Sequence, residues 1–302
     1  MVKTKDLIQI ETELHAIEMG NLACPGCQLN LAFKHTLSAL NNNAVVVVPA
    51  CCTSVIQGTG DGYGMNVPIF NTAFASAPPV ASGIARKLKL EGKDTQVVVW
   101  AGDGGTADIG FAALSAAAER DEPILYVMYN NEAYSNTGNQ KSGATPRGAK
   151  TTTTSTGKTN RPKNIARIMV AHDVRYVARA NAAYPRDLFD KITRAATEFK
   201  DHFRFIEIYS PCPPGWTVDT RDIVEVGKLA NDIGYWPSWE AVDGKMELSR
   251  ISRRFRDPEK RKPAQEFFDL QGRFQNVDEE LLNEFVSDIQ FQWDWMERYL
   301  ED

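Results

Sequence analysis

Histidine is scarce in this sequence: 302 residues contain four, His15, His35, His172 and His202. None falls in a motif, so each reads as a core or surface residue rather than as a catalyst. Long apolar runs are also missing. The longest, such as residues 44–50 (AVVVVPA) and 97–101 (VVVWA), fall far short of the roughly 20 residues that a membrane helix needs. There is no excess of positive charge either, since 34 Lys and Arg stand against 39 Asp and Glu for a formal net charge of −5. That balance argues against a dedicated nucleic-acid binder, which carries a basic face. Near Met1, Lys3, Lys5 and Asp6 lead into a mixed polar segment unlike a secretory signal. A cytoplasmic protein is expected.

Cysteine is limited to positions 24, 27, 51, 52 and 212, with none across the long middle of the chain. In a cytoplasmic protein such residues point to metal or redox chemistry rather than to structural disulfides. Cys24 and Cys27 form a C-x-x-C, Cys52 follows 25 residues later, and Cys212 another 160 residues on. Four thiolates from scattered loops suit tetrahedral zinc or a four-iron four-sulfur (4Fe-4S) cluster. A zinc ribbon would offer a second C-x-x-C, and the sequence has none. Cys212 is followed by Pro213 and Pro214, like the Cys-Pro that closes many cluster sites. A thioredoxin-like role for Cys24 and Cys27 lacks the preceding βαβ pattern.

What is abundant is core. With 43% hydrophobic and 24% charged residues, the chain has the material for one large domain, or a domain plus an extension. Residues 44–50, 97–101 and 124–129 are short apolar runs rich in β-branched residues, the mark of strands buried on both faces of a parallel sheet. Helical spacing over 29–40, 80–90, 109–119, 164–171, 186–199 and 223–230, with further strands near 175–178 and 204–209, predicts an α/β fold. Its sheet should be doubly wound and mostly parallel, binding ligands at the carboxyl ends of the strands. The expected organisation is an α/β domain over 1–240 and a C-terminal extension over 241–302, the latter for packing or subunit contact. Residues 131–163 lack periodicity, as a functional loop would. The tail ends in Phe285, Phe291, Trp293, Trp295 and Tyr299, an aromatic set that suits a packing helix.

The segment AGDGGTADIG (101–110) follows a buried strand and opens a helix. Glycines let the backbone approach an anion, the helix start supplies N–H groups, and Asp103 offers a carboxylate to a hard divalent cation. After the next strand comes NNEAYSNTG (130–138), with Asn131 lying 28 positions past Asp103. Two neighbouring strands thus end in oxygen ligands, which together with diphosphate oxygens fit octahedral magnesium.

A Gly-Asp-Gly turn followed at this distance by paired asparagines resembles the thiamine-diphosphate motif. CPGC, GDGGTADIG, YNNEAYSNTG, SGATPRGAKTTTT and, in the tail, LQGRF resemble the β subunit of pyruvate:ferredoxin oxidoreductase and its 2-oxoacid relatives. The resemblance implies a thiamine-diphosphate-binding fold of the diphosphate (PP) type. In it Asp103, the Asn131 side chain and the Ala133 carbonyl hold Mg²⁺, while Gly102, Gly104, Gly105, Thr106 and Thr137 contact the cofactor. It further implies that Asn136 lies over the reactive carbon and hydrogen-bonds the substrate carbonyl, and that Cys24, Cys27, Cys52 and Cys212 bind a 4Fe-4S cluster. The match of ACCTSV puts the third ligand at Cys52 and leaves Cys51 as a small neighbour.

One α/β unit cannot carry the whole site. The cofactor-activating glutamate and a substrate-binding arginine are expected from a partner α subunit. The resemblance implies γ/δ-type subunits with further clusters, and ferredoxin as electron acceptor. Coenzyme A or water would release the product of 2-oxoacid decarboxylation. Pyruvate is the default substrate; oxalate, 2-oxoglutarate, and branched-chain or aryl oxoacids share the motifs. Ser76, Pro78 and Pro79 depart from the family form, as does Arg147. Two more distant readings are a non-oxidative thiamine-diphosphate decarboxylase or synthase, which has no use for four placed cysteines, and a zinc-stabilised binding protein, which leaves the paired metal-ligand turns unexplained.

Overall fold

Uninterrupted runs of β-branched and aromatic residues can be covered on both faces only inside a parallel sheet. That is where they lie in the computed structural model, which describes residues 2–18 and 20–300. Elements are numbered in chain order. The strands are β1 (Ala44–Pro49), β2 (Ile69–Thr72), β3 (Gln96–Gly102), β4 (Leu125–Asn130), β5 (Tyr176–Asn181), β6 (Arg204–Tyr209), β7 (Trp239–Val242) and β8 (Lys245–Leu248). They form one sheet in the order β2-β1-β3-β4-β6-β5-β7-β8. The pairs from β2 to β5 are parallel; β7 joins β5 antiparallel and β8 joins β7 antiparallel. Every residue of β4, β5 and β6 is buried.

Side chains alternate between two core layers, as strand geometry requires. Val46, Val48, Val98 and Trp100 face the layer under α2 (Gln28–Ala39) and α7 (Pro185–Thr197). Val47, Val97, Val99 and Ala101 face the other, which holds α4 (Ala77–Leu90), α5 (Phe111–Glu119), α6 (Ile165–Ala171), α9 (Ile223–Asp232), α10 (Ala264–Asp269) and α11 (Glu279–Met296). With helices on both faces, the sheet is doubly wound. The remaining helices are α1 (Thr4–Leu14), α3 (Cys52–Ile56), which adds Ile56 to the first layer, and α8 (Pro213–Trp216), which adds Trp216 to the second.

Seven elements do not follow the sequence reading. Helices α1, α3, α8 and α10 and strands β2, β7 and β8 were not expected. Strand β2 is a short edge strand with half-exposed Phe70 and no fully buried residue, so it has no apolar signature. Strands β7 and β8 form a hairpin turned by Asp243 and Gly244, both at positive φ (47° and 83°). Asp-Gly is a strong signal for such a turn, here masked by the charged surroundings. Helix α4 starts three residues before the expected position, because Pro78 and Pro79 sit in its first turn, where a missing N–H costs nothing. Residues 105–109, ahead of α5, form a π-helical turn. Residues 131–163 carry no helix and no strand of the sheet.

The chain from 241 to 300 packs on the same core layer, burying Phe267, Phe268, Phe285, Trp293 and Met296. The Trp293 indole N–H donates to the Gly234 carbonyl at 2.8 Å. Trp293→Ala should therefore cost about 3–5 kcal/mol, as for other large-to-small aromatic changes in a core. Urea unfolding checks this; a loss below about 1 kcal/mol would show that the helix adds little to the core.

Candidate functional site

Strands β1, β3, β4 and β6 are neighbours, and their carboxyl ends bring Cys51 and Cys52, Asp103, Asn131 and Cys212 to one edge of the sheet. The chain passes from β1 outward to β2 and then returns to β3 on the other side of β1. At such a reversal the connecting loops diverge and open a crevice. Asp103 stands at the reversal.

Asp103 is fully buried. Its Oδ2 accepts from the Ser142 hydroxyl at 2.5 Å, and its Oδ1 from the Asn131 backbone N–H at 3.3 Å. Burial pushes its carboxyl up to about 8, against the opposing pull of those two donors. One terminus of the Asn131 amide lies 2.8 Å from Asp103 Oδ1 and 2.9 Å from the Ala133 carbonyl oxygen. Facing two acceptor oxygens, that terminus is the NH₂, which can donate to both. Rotating the amide puts three oxygens in one place: a carboxylate, an amide and a main-chain carbonyl. That donor set is the one magnesium takes from proteins, so the residues fit the ion that the sequence implies.

Gly102, Gly104, Gly105, Asn131, Ala133, Asn136 and Thr137 line a cavity of about 520 Å³ beside this cluster. Gly104 has to be glycine: a Cβ there would sit 2.4 Å from the ring of Tyr134, whose hydroxyl donates to the Gly104 carbonyl at 2.9 Å. Thr106 lies beneath the cavity floor, its hydroxyl donating to the Gly102 carbonyl at 2.8 Å. Asn136 stands exposed on the rim, and its side chain makes no hydrogen bond among the described residues.

Cys24, Cys27, Cys52 and Cys212 line a second cavity of about 980 Å³. It shares Cys52, Asn131, Ser135 and Asn136 with the first, so the two have a common wall. All five cysteines are free thiols. Burial pushes the Cys27 thiol up to about 11, and it raises Cys52 and Cys212 too; neighbouring cysteines add to each shift. Cys51 lines only the first cavity. Among the described residues no three His, Cys, Asp or Glu side chains converge closely enough for a single metal ion. The thiols surround a space rather than meet at a point, as ligands of a polynuclear cluster do.

Sequence reading missed Ser142, Tyr134, Ser135, Tyr129 and Phe74. Ser142 shows no spacing rule that would mark it as the partner of Asp103, since it comes from the irregular loop. Tyr129 accepts from the Cys52 N–H at 3.2 Å and is hidden in a strand of apolar residues. Arg147, unusual in the sequence, is committed to α11, where it meets Asp288 at 2.8 Å and Glu284 at 3.0 Å. Among the described residues, no histidine, aspartate or glutamate lines either cavity.

Fold and site together define a thiamine-diphosphate-binding α/β protein. The family model described as "Thiamine pyrophosphate enzyme, C-terminal TPP binding domain" matches residues 51–208. The ketoisovalerate oxidoreductase subunit VorB of Pyrococcus horikoshii is 38% identical, with 99% of this chain and 97% of that one covered. The pyruvate synthase subunit PorB of Methanothermobacter thermautotrophicus is 40% identical over 89% of this chain and 94% of its own. A solved 2-oxoglutarate:ferredoxin oxidoreductase from Magnetococcus marinus shares the fold at 24% identity, with a TM-score of 0.57 over 67% of this chain and 68% of that one. The chain belongs to the β-subunit family of thiamine-diphosphate-dependent 2-oxoacid:ferredoxin oxidoreductases. Among the described residues, no helix is long and apolar enough to cross a membrane.

In the metal-free protein, Asp103 ionises near 8 when folded, against 3.8 for an ordinary aspartate. The folded state then holds an extra proton between those values, so stability falls as pH rises from about 4 to about 8. Asp103→Asn removes that loss. Its melting temperature without metal should exceed that of the parent at about pH 8, with the gap closing toward about pH 5. An equal gap at both pH values would contradict the burial of an unpaired carboxylate.

Proposed function

We propose that this chain holds thiamine diphosphate through Mg²⁺ at Asp103, Asn131 and Ala133, and a 4Fe-4S cluster through Cys24, Cys27, Cys52 and Cys212. The reaction is oxidative decarboxylation of a 2-oxoacid. Bound there, thiamine diphosphate would supply the sink for the electron pair left as carbon dioxide departs from the 2-oxoacid, and the cluster would supply a one-electron relay that carries the two electrons away singly. The observation that carries this reading is the wall shared by the two cavities, because electron tunnelling falls steeply with distance. A decarboxylase needs only the first cavity, and a zinc-stabilised protein only the second.

In this reading the chain's own residues bind and orient. Gly102, Gly104 and Gly105 let the main chain approach the diphosphate, Thr106 braces the turn from below, and Thr137 closes the rim. Asn136, free on that rim, offers its amide N–H to the substrate carbonyl oxygen, where negative charge develops. Cys52 borders both cavities while Cys51 borders one, which supports Cys52 as the third cluster ligand. Since no carboxylate of the described residues lines the first cavity, the activating glutamate comes from a partner α subunit, along with the substrate arginine. Ferredoxin accepts the electrons by way of γ/δ-type subunits, and coenzyme A takes the acyl group.

Pyruvate is the substrate we infer. A branched-chain 2-oxoacid is the second reading, favoured by the similarity to a ketoisovalerate oxidoreductase subunit over nearly the whole chain. Comparing kcat/KM of the complete complex for pyruvate and 3-methyl-2-oxobutanoate decides between them.

Anaerobically purified complex should be brown, contain iron and acid-labile sulfide, and bleach on adding 2-oxoacid and coenzyme A. Colourless protein containing only zinc would remove the reading. Cys52→Ser should lose or convert the cluster while Cys51→Ser keeps it; the opposite result moves the ligand by one residue. Asn136→Ala should lower turnover roughly 10²–10³-fold with thiamine diphosphate content unchanged, as for a lost oxyanion donor. Full turnover in that variant would rule out the assigned role.

A further inference from the structure

Between the ligands Asn131 and Ala133 lies Glu132, 1% exposed and in the left-handed region at φ 61°. A side chain larger than glycine resists that conformation, so something must hold it. Three polar groups of Glu132 are hydrogen-bonded, and the fourth, Oε2, is held by an ion pair alone. Its N–H donates to Asn130 Oδ1 at 3.0 Å, and its carbonyl accepts from the Thr145 hydroxyl at 2.5 Å. The carboxylate accepts from the Tyr235 hydroxyl at 2.5 Å through Oε1 and meets Arg273 Nη2 at 2.6 Å through Oε2.

Arg273 belongs to the tail segment LQGRF and is 4% exposed. Its guanidinium lies 3.6 Å from the centroid of the Trp216 ring. The indole N–H of Trp216 in turn donates to the Asn131 carbonyl at 2.8 Å. One arginine from the C-terminal segment therefore reaches the metal turn by two routes, through Glu132 and through Trp216. Neither Glu132 nor Arg273 lines either of the two cavities, which places both behind the metal turn rather than at its open face. Breaking only one side of a buried ion pair leaves a charge without a partner, whereas removing both sides is far milder.

Building on the magnesium reading above, we propose that Glu132 and Arg273 are positioning residues for the metal turn. They hold Asn131 and Ala133 so that the amide and the carbonyl face Asp103. The tail segment is thus a working part of the cofactor site, acting from behind it. Partners of this kind, placed behind metal ligands, set metal affinity by orienting the ligands.

The test measures, on the purified complex, the Mg²⁺ concentration that half-saturates thiamine diphosphate binding, by titration calorimetry, with melting temperature recorded alongside. Two variants are used: the double substitution Glu132→Gln with Arg273→Met, which leaves no lone buried charge, and the milder Tyr235→Phe. The double variant should melt near the parent yet need roughly 10–100-fold more Mg²⁺. Tyr235→Phe should shift the requirement in the same direction by less. A parent-like Mg²⁺ requirement in both variants overturns the proposal. Should the double variant fail to fold, a parent-like requirement in Tyr235→Phe overturns it alone. A parent complex that binds thiamine diphosphate without any divalent cation overturns the magnesium reading instead, and the positioning role with it.

Discussion

A carboxylate shut away from water at the end of a central strand is the constraint on which this structure turns. Burying an ionised group without a partner is costly enough that the group gives up its charge. Asp103 is in that condition, with one hydroxyl, one peptide N–H and the Asn131 amide for company. In the proposed site a cation would match that charge, which would couple metal binding to local order. The same carboxylate anchors the long irregular loop at Ser142. Asp108, which accepts from the Gly143 N–H at 2.8 Å, and buried Lys158, which donates to the carbonyls of Gly143 at 3.0 Å and Thr145 at 2.6 Å, hold the rest.

The sheet supplies the rest by geometry alone. Parallel strands all point their carboxyl ends the same way, so four neighbours can each contribute one residue to a common edge without any long-range design. What the strands cannot supply is the first pair of cysteines. Cys24 and Cys27 come from the loop before α2 and complete a cavity whose other thiols follow β1 and β6. One wall then serves two sites: Asn131, Ser135 and Asn136 border both cavities, with Cys52 on the boundary.

Much of this was legible in the sequence, for reasons that can be given residue by residue. Central strands such as β3 and β4 announce themselves, because burial on both faces forces unbroken apolar runs. The meeting of Asp103 and Asn131 at neighbouring strand ends was legible as well, since each sits beside a turn motif. Edge elements were not: β2 has too little burial to leave a pattern, and the Asp243–Gly244 hairpin was lost among the charged residues of the tail. The partners Ser142, Tyr235 and Arg273 were invisible for a different reason. They lie far from the turn in sequence, and their roles exist only through tertiary contact; LQGRF could be recognised as a motif without any hint of what its arginine does.

The central claim is that Asp103, Asn131 and Ala133 form one metal centre at the diphosphate cavity. It is tested most directly by an anomalous-scattering map of the complete complex crystallised with thiamine diphosphate and Mn²⁺ in place of Mg²⁺. The ion should appear about 2.0–2.2 Å from an Asp103 carboxylate oxygen, the Asn131 amide oxygen and the Ala133 carbonyl oxygen, as expected for an octahedral oxygen site. A cofactor-loaded complex with the ion elsewhere, or with the Asn131 amide nitrogen still turned toward Asp103, would contradict it.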